Sequence, residues 1–189
     1  MRVLAVSGSL RADSLNTSLL RAAAAAAPEG VEVELWNGLG ELPLYDQDLE
    51  SGEAPAPVER LREDWRSADA ILFATPEYNG SVPGGLKNAI DWASRPKLDA
   101  ALTNQNVAVI GASPGRFGAM WAQADLRKIL GVAGARVIGD ELPVPRARER
   151  FDNAGRLSDA ELRGRLRLLL ETLREEAAPA EAPPVRAAA

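Results

Sequence analysis

VLAVSGSLRADSLNTSLL, residues 3–20, is the stretch from which the fold can be read. Val3–Ser7 opens with apolar residues and no polar alternation, the pattern of a strand covered on both faces. Thr17–Ala27 is packed with alanine and closed by Pro28-Glu29-Gly30, which predicts a helix. Between them Ser7–Thr17 matches neither G-x-G-x-x-G nor G-x-x-x-x-G-K-[ST]. It offers the hydroxyls of Ser7, Ser9, Ser14 and Thr17, the guanidinium of Arg11 and the amide of Asn16. With a helix starting directly after it, free N–H groups and the positive end of the dipole face the same spot. That donor mixture suits a phosphate monoester. A pyrophosphate needs closer backbone approach, and glycines beyond Gly8 are missing. The same residues also fit a plain helix cap, with Ser14 or Asn16 at the N-cap and Arg11 in solvent.

The strand–helix unit recurs along the chain. Val31–Trp36 alternates Val and Glu as an edge strand does, and Pro57–Ser67 carries Val58, Leu61 and Trp65 on one helical face. Ala70–Ala74, Val107–Ala112 and Ala135–Ile138 are predicted strands; Gly84–Ala93 and Phe117–Leu130 are predicted helices. Asn37–Ala56 has neither period and is a long loop, of the kind often tied to function. A last helix opens with Ser158-Asp159-Ala160-Glu161, read as a capping box, and carries Leu162, Leu166, Leu169, Leu170 and Leu173 at helical spacing. This implies an α/β fold: a doubly wound, five-stranded parallel sheet of order 2-1-3-4-5 with helices on both faces. The predicted domain spans residues 1–176, followed by a low-complexity, disordered tail at 177–189.

In such a sheet, ligands bind beyond the carboxyl ends of the strands at the switch point. Two more loops therefore matter. Pro76-Glu77-Tyr78-Asn79-Gly80-Ser81-Val82-Pro83-Gly84 has a strong Asn-Gly turn signal between two stiffening prolines. It can present backbone N–H and C=O groups to the polar edge of a planar heterocycle, with Tyr78 beside it, or be only a strand-to-helix turn. Ala112-Ser113-Pro114-Gly115-Arg116-Phe117-Gly118 places glycines around Arg116, allowing close approach to a flat ligand or forming a plain Gly/Pro turn.

Composition narrows the chemistry. Among 189 residues there is no cysteine and no histidine. Disulfides, thiol nucleophiles, Ser-His-Asp triads and nearly every zinc or haem site are thereby excluded. No metal site is expected. A net charge of −5 and the lack of a basic, aromatic-laced stripe argue against nucleic acid. No segment reaches the ~18 apolar residues of a membrane span, and no signal-peptide pattern is present, so a cytoplasmic protein is expected.

Three motifs carry a family likeness. G-S-L-R-x-x-S-x-N at Gly8–Asn16, P-E-Y-N-G-S-x-P-G-x-L-K-N-A-I-D-W at Pro76–Trp92 and S-x-G-x-x-G at Ser113–Gly118 resemble the NADPH-dependent FMN reductases. This flavodoxin-like group includes bacterial quinone, azo-dye and chromate reductases. The likeness runs from Arg2 to about Glu175. It implies FMN as cofactor and NADPH or NADH as electron donor. Residue by residue, it implies that Ser9, Arg11, Ser14, Asn16 and Thr17 surround the phosphate. Pro76, Glu77, Tyr78, Asn79 and Gly80 then line the isoalloxazine, with Ser113 and Gly115 near the ring or ribityl end. Many members carry two adjacent glycines where this chain has Gly118-Ala119.

The implied activity is ping-pong hydride transfer through FMN from NAD(P)H to a quinone, azo, chromate or flavin acceptor, with no catalytic side chain. The resemblance also implies a homodimer or homotetramer. Two other readings use the same motifs: a flavodoxin-type FMN electron carrier, and a non-catalytic, redox-sensing subunit.

Overall fold

The computed structural model describes residues 1–50, 53–152 and 154–177. The expected tail from 178 onward lies outside them, while Ala177 itself closes the last helix.

Five strand positions form a parallel sheet in the order β2-β1-β3-β4-β5, as the sequence predicts. β1 (Arg2–Ser7), β3 (Ala70–Ala74) and β4 (Asn106–Ala112) are central, and nearly all of their residues are buried. β2 (Glu32–Trp36) forms one edge and keeps its alternating, half-wet face. The centre is sandwiched because successive side chains point to opposite faces. Val3, Ala5, Leu72 and Ile110 pack beneath α1 (Leu15–Ala25) and α6 (Ala160–Ala177). Leu4, Val6, Ile71 and Phe73 pack against α3 (Ala56–Ser67), α4 (Gly84–Ala93) and α5 (Met120–Val132).

The other edge differs from expectation. The fifth strand is broken in two: β5 (Arg136–Val137) pairs with the start of β4, and β6 (Leu142–Val144) pairs with its end. Gly139, with φ of 67°, turns the chain between them. Pro143 sits within β6, which is tolerable because nothing needs its missing N–H on an edge. The prolines hid this strand from the sequence reading.

The last helix also starts differently. Asp159, not Ser158, is the cap: its carboxylate accepts the Leu162 N–H at 3.0 Å. The Ser158 hydroxyl instead donates to the Arg150 carbonyl. The Leu162 N–H bond, with Arg150 alongside, lowers the Asp159 pKa below the usual carboxylate value. The long segment after β2 is not structureless. It holds a 3₁₀ turn at Gly38–Glu41 and one helical turn, α2 (Gln47–Glu50). Pro43 anchors this segment on α4, its carbonyl accepting from Trp92 Nε1 and Asn88 Nδ2. Tyr45 packs edge-on against Trp92, and its hydroxyl donates to Glu50, a bond that raises its pKa.

Candidate functional site

The three loops leave the sheet side by side. The Gly8 N–H donates to the Ala74 carbonyl, Thr75 to Ile110 and Ser113 to Val144, so the ladder continues just past the strand ends. Gly8 makes room for this closeness. A Cβ there would lie 2.9 Å from Leu86 Cδ2 and 3.2 Å from Pro76 Cδ.

In the first loop the six donors divide into two kinds. Ser14 is buried and caps α1, its Oγ accepting the Thr17 N–H at 3.2 Å. Thr17 and Ser7 share a hydroxyl–hydroxyl bond of 2.9 Å. Asn16 is buried, and its carboxamide reaches 96 residues along the chain. Its Nδ2 donates to the Ala112 carbonyl at 3.0 Å, and its Oδ1 accepts the Ala112 N–H at 2.9 Å. Backbone groups alternate sides along a strand. Since Ser113 N–H faces β6, Ala112 faces the place that β3 has already left. Asn16 thus replaces a missing strand, and this amide fastens the first loop to the third. Ser9 and Arg11 are the freer pair. The Ser9 hydroxyl accepts only a long bond from the Arg11 N–H, and the exposed guanidinium touches the Asp13 carbonyl at 3.4 Å.

The second loop is a tight hairpin. Asn79 and Gly80 have φ of 54° and 76°, the primed turn that Asn-Gly favours, and Tyr78 and Ser81 exchange backbone bonds across it. Pro76 is buried, whereas Tyr78 is half exposed. Glu77 turns toward α5, where its carboxylate accepts the N–H groups of Trp121 and Ala122 at 3.0 and 3.1 Å.

The third loop is braced by residues 144–147. Gly115 O accepts from the Arg146 N–H and Ser113 O from the Ala147 N–H, while Ser113 Oγ accepts the Gly115 N–H. Gly118 cannot carry a side chain, because a Cβ would come 2.6 Å from Val144 N. Ala119 shares its left-handed conformation, φ 62° and ψ 33°, so α5 begins only at Met120, not at Phe117. The loop's aromatic side is exposed. Phe117 lies 4.6 Å from Trp121, and the Arg116 guanidinium lies 4.6 Å above the Phe117 ring.

Residues 1–149 match the NADPH-dependent FMN reductase family. The chain belongs to that family. It is 43% identical over 174 residues to an NAD(P)H-dependent FMN reductase of Pseudomonas aeruginosa, covering 92% of this chain and 93% of that one. A quinone reductase of Escherichia coli is 42% identical over 139 residues, 73% of each chain. Among solved structures, the flavoenzyme NAD(P)H:(acceptor) oxidoreductase FerB of Paracoccus denitrificans superposes with a TM-score of 0.80. It is 36% identical, over 92% of this chain and 97% of that one.

This FMN reductase chain also contains supports that its motifs do not announce. Gln123 is fully buried at the base of the third loop. Its Nε2 donates to the Gly118 carbonyl and its Oε1 accepts the Leu142 N–H, tying α5 to β6. The signal in the sequence is a lone polar residue among Ala122, Leu126 and Leu130 on a core-facing stripe. Asp125, two residues further along α5, accepts from the Ser81 hydroxyl at 2.8 Å. Among the described residues no helix is long and apolar enough to cross a membrane.

Proposed function

We propose that this chain is an FMN-dependent NAD(P)H:acceptor oxidoreductase whose FMN lies across the three loops. The observation carrying this reading is the split in the site's donors. At one end, the side chains of Ser9 and Arg11, each held only by a long 3.4 Å bond, sit beside the N-terminus of α1 and can offer hydroxyl and charge. At the other, a fixed hairpin and a glycine-bearing loop offer backbone groups and the half-exposed Tyr78. The donors fit a phosphate monoester and the backbone fits the polar edge of a flat ring. When bound, FMN supplies the redox chemistry, accepting from a nicotinamide and delivering to an acceptor.

The residues of the chain then bind and orient. Arg11 and Ser9 hold the phosphate, with Ser14, Asn16 and Thr17 keeping the loop in shape. Pro76, Tyr78, Asn79 and Gly80 line the ring, and Ser113 and Gly115 close the side toward the ribityl chain. No histidine or cysteine exists to act as base or nucleophile, and this division of labour requires none. The acceptor is a small molecule such as a quinone, and the cycle is ping-pong. The working assembly is a homodimer or homotetramer in the cytoplasm.

Purified protein should carry, or take up, FMN with its yellow absorbance, and should oxidise NADH or NADPH faster when a quinone is added. Protein that stays colourless with added FMN would refute the reading. Tight FMN binding without nicotinamide oxidation would instead indicate an electron carrier. Sedimentation of a single 20.1 kDa species would remove the oligomer.

A further inference from the structure

The start of α5 has no cap of its own. Ala119 stands at the N-cap with a methyl group and a left-handed backbone, so it can accept no hydrogen bond through its side chain. Helix N-termini leave N–H groups that need an acceptor, and a carboxylate serves best because it also meets the dipole. Glu77, 44 residues before Trp121, is that acceptor. One oxygen, Oε2, takes both the Trp121 and the Ala122 N–H. A second tie lies one helical turn on, where the Ser81 hydroxyl bonds Asp125. The Asn79-Gly80 hairpin joins these two attachment points. The second loop therefore sits on α5 at two places, and the spacing between second and third loops is set there.

We propose that Glu77 is a positioning residue for the flavin ring: its carboxylate docks the second loop onto the N-terminus of α5 and fixes the gap into which the ring fits. The proposal rests on the FMN reading above and assigns the carboxylate to α5, leaving the loop backbone and Tyr78 to face the ring. The docked turn of α5 also carries Trp121, which packs against Phe117 on the exposed side of the third loop. Loss of the carboxylate frees both amides and lets the two loops separate. The ring should then bind less well whether or not a phosphate is attached to it.

The test compares wild type, Glu77→Ala and Glu77→Gln for binding of FMN and of riboflavin, with amide hydrogen exchange on the flavin-free proteins. Glu77→Ala should weaken both flavins by the same factor, roughly tenfold or more. Glu77→Gln keeps an acceptor oxygen without the charge and should stay within about threefold of wild type, since charge-assisted bonds are about twice as strong as neutral ones. Exchange at Trp121 and Ala122 should accelerate in the alanine variant and stay slow in the glutamine variant. Wild-type affinity for both flavins in Glu77→Ala, a loss confined to FMN, or a glutamine variant as weak as the alanine one would each overturn the proposal. Wild-type protein that binds neither flavin would refute the FMN reading. In that event unchanged exchange in Glu77→Ala would separately refute the docking.

Discussion

The first and second loops leave neighbouring strands at the same sheet edge, yet they are built in opposite ways. The first uses side chains to hold itself: Ser14 caps, Thr17 pairs with Ser7, and Asn16 substitutes for a missing strand. That leaves one long cation, Arg11, reaching outward. The second uses its backbone, with a primed turn closing it and Glu77 and Ser81 fastening it to α5. Its turn is thereby held in one shape. On the proposed placement of FMN, the difference matches two recognition problems. A phosphate is round and charged, and can be met by a flexible guanidinium; a planar ring needs partners whose positions are already set.

The comparison fails if the first loop's buried side chains prove dispensable. Asn16→Ala should strand the Ala112 N–H and C=O in a buried place, costing about 2–4 kcal/mol. In thermal unfolding that is a fall of roughly 5–15 °C for a domain of this size. A fall of a degree or less would show that water replaces the amide.

Arg11→Ala tests the outward half of the same loop and should leave stability alone. FMN affinity should drop about 10- to 150-fold, the worth of one charge-assisted contact. Riboflavin, which lacks the phosphate, should bind as before. Equal losses for both would remove Arg11 from the phosphate.

The smallest effect concerns the third loop. Ala119 occupies a left-handed conformation that costs a non-glycine residue roughly 1–2 kcal/mol. Ala119→Gly should relieve this, less the entropy that glycine adds to the unfolded chain, for a net gain of about 1 kcal/mol or less. Calorimetry would register a rise of about 2–4 °C at most. A fall would mean that the buried methyl contributes more by packing than its backbone costs.

Much of the molecule could be read without coordinates. Ala70–Ala74 and Gly84–Ala93 fall where periodicity puts them, because a buried central strand is continuously apolar and an amphipathic helix repeats at 3.6. Helix starts were less legible. α5 begins three residues late because two successive left-handed residues, Gly118 and Ala119, must pass first. β6 was missed because prolines flank and interrupt it, and only its edge position makes them tolerable. The motifs pointed to three loops that the fold brings side by side, but not to the tasks of their side chains. Glu77, expected beside the ring, has its carboxylate on α5, and Gln123 appeared in no motif.

By itself, the sequence determined the layered α/β class, the strand order and the three loops at one sheet edge. Hydrophobic period and turn chemistry are local properties, and the right-handed crossover rule converts them into topology. It also determined that no histidine or cysteine takes part. Only the tertiary structure decided which polar side chains are tied up within the protein and which stay exposed. Asn16 finds Ala112 across 96 residues, and Glu77 finds Trp121 across 44. A buried polar group takes whatever partner the fold brings near it, and that partner need not be close in sequence.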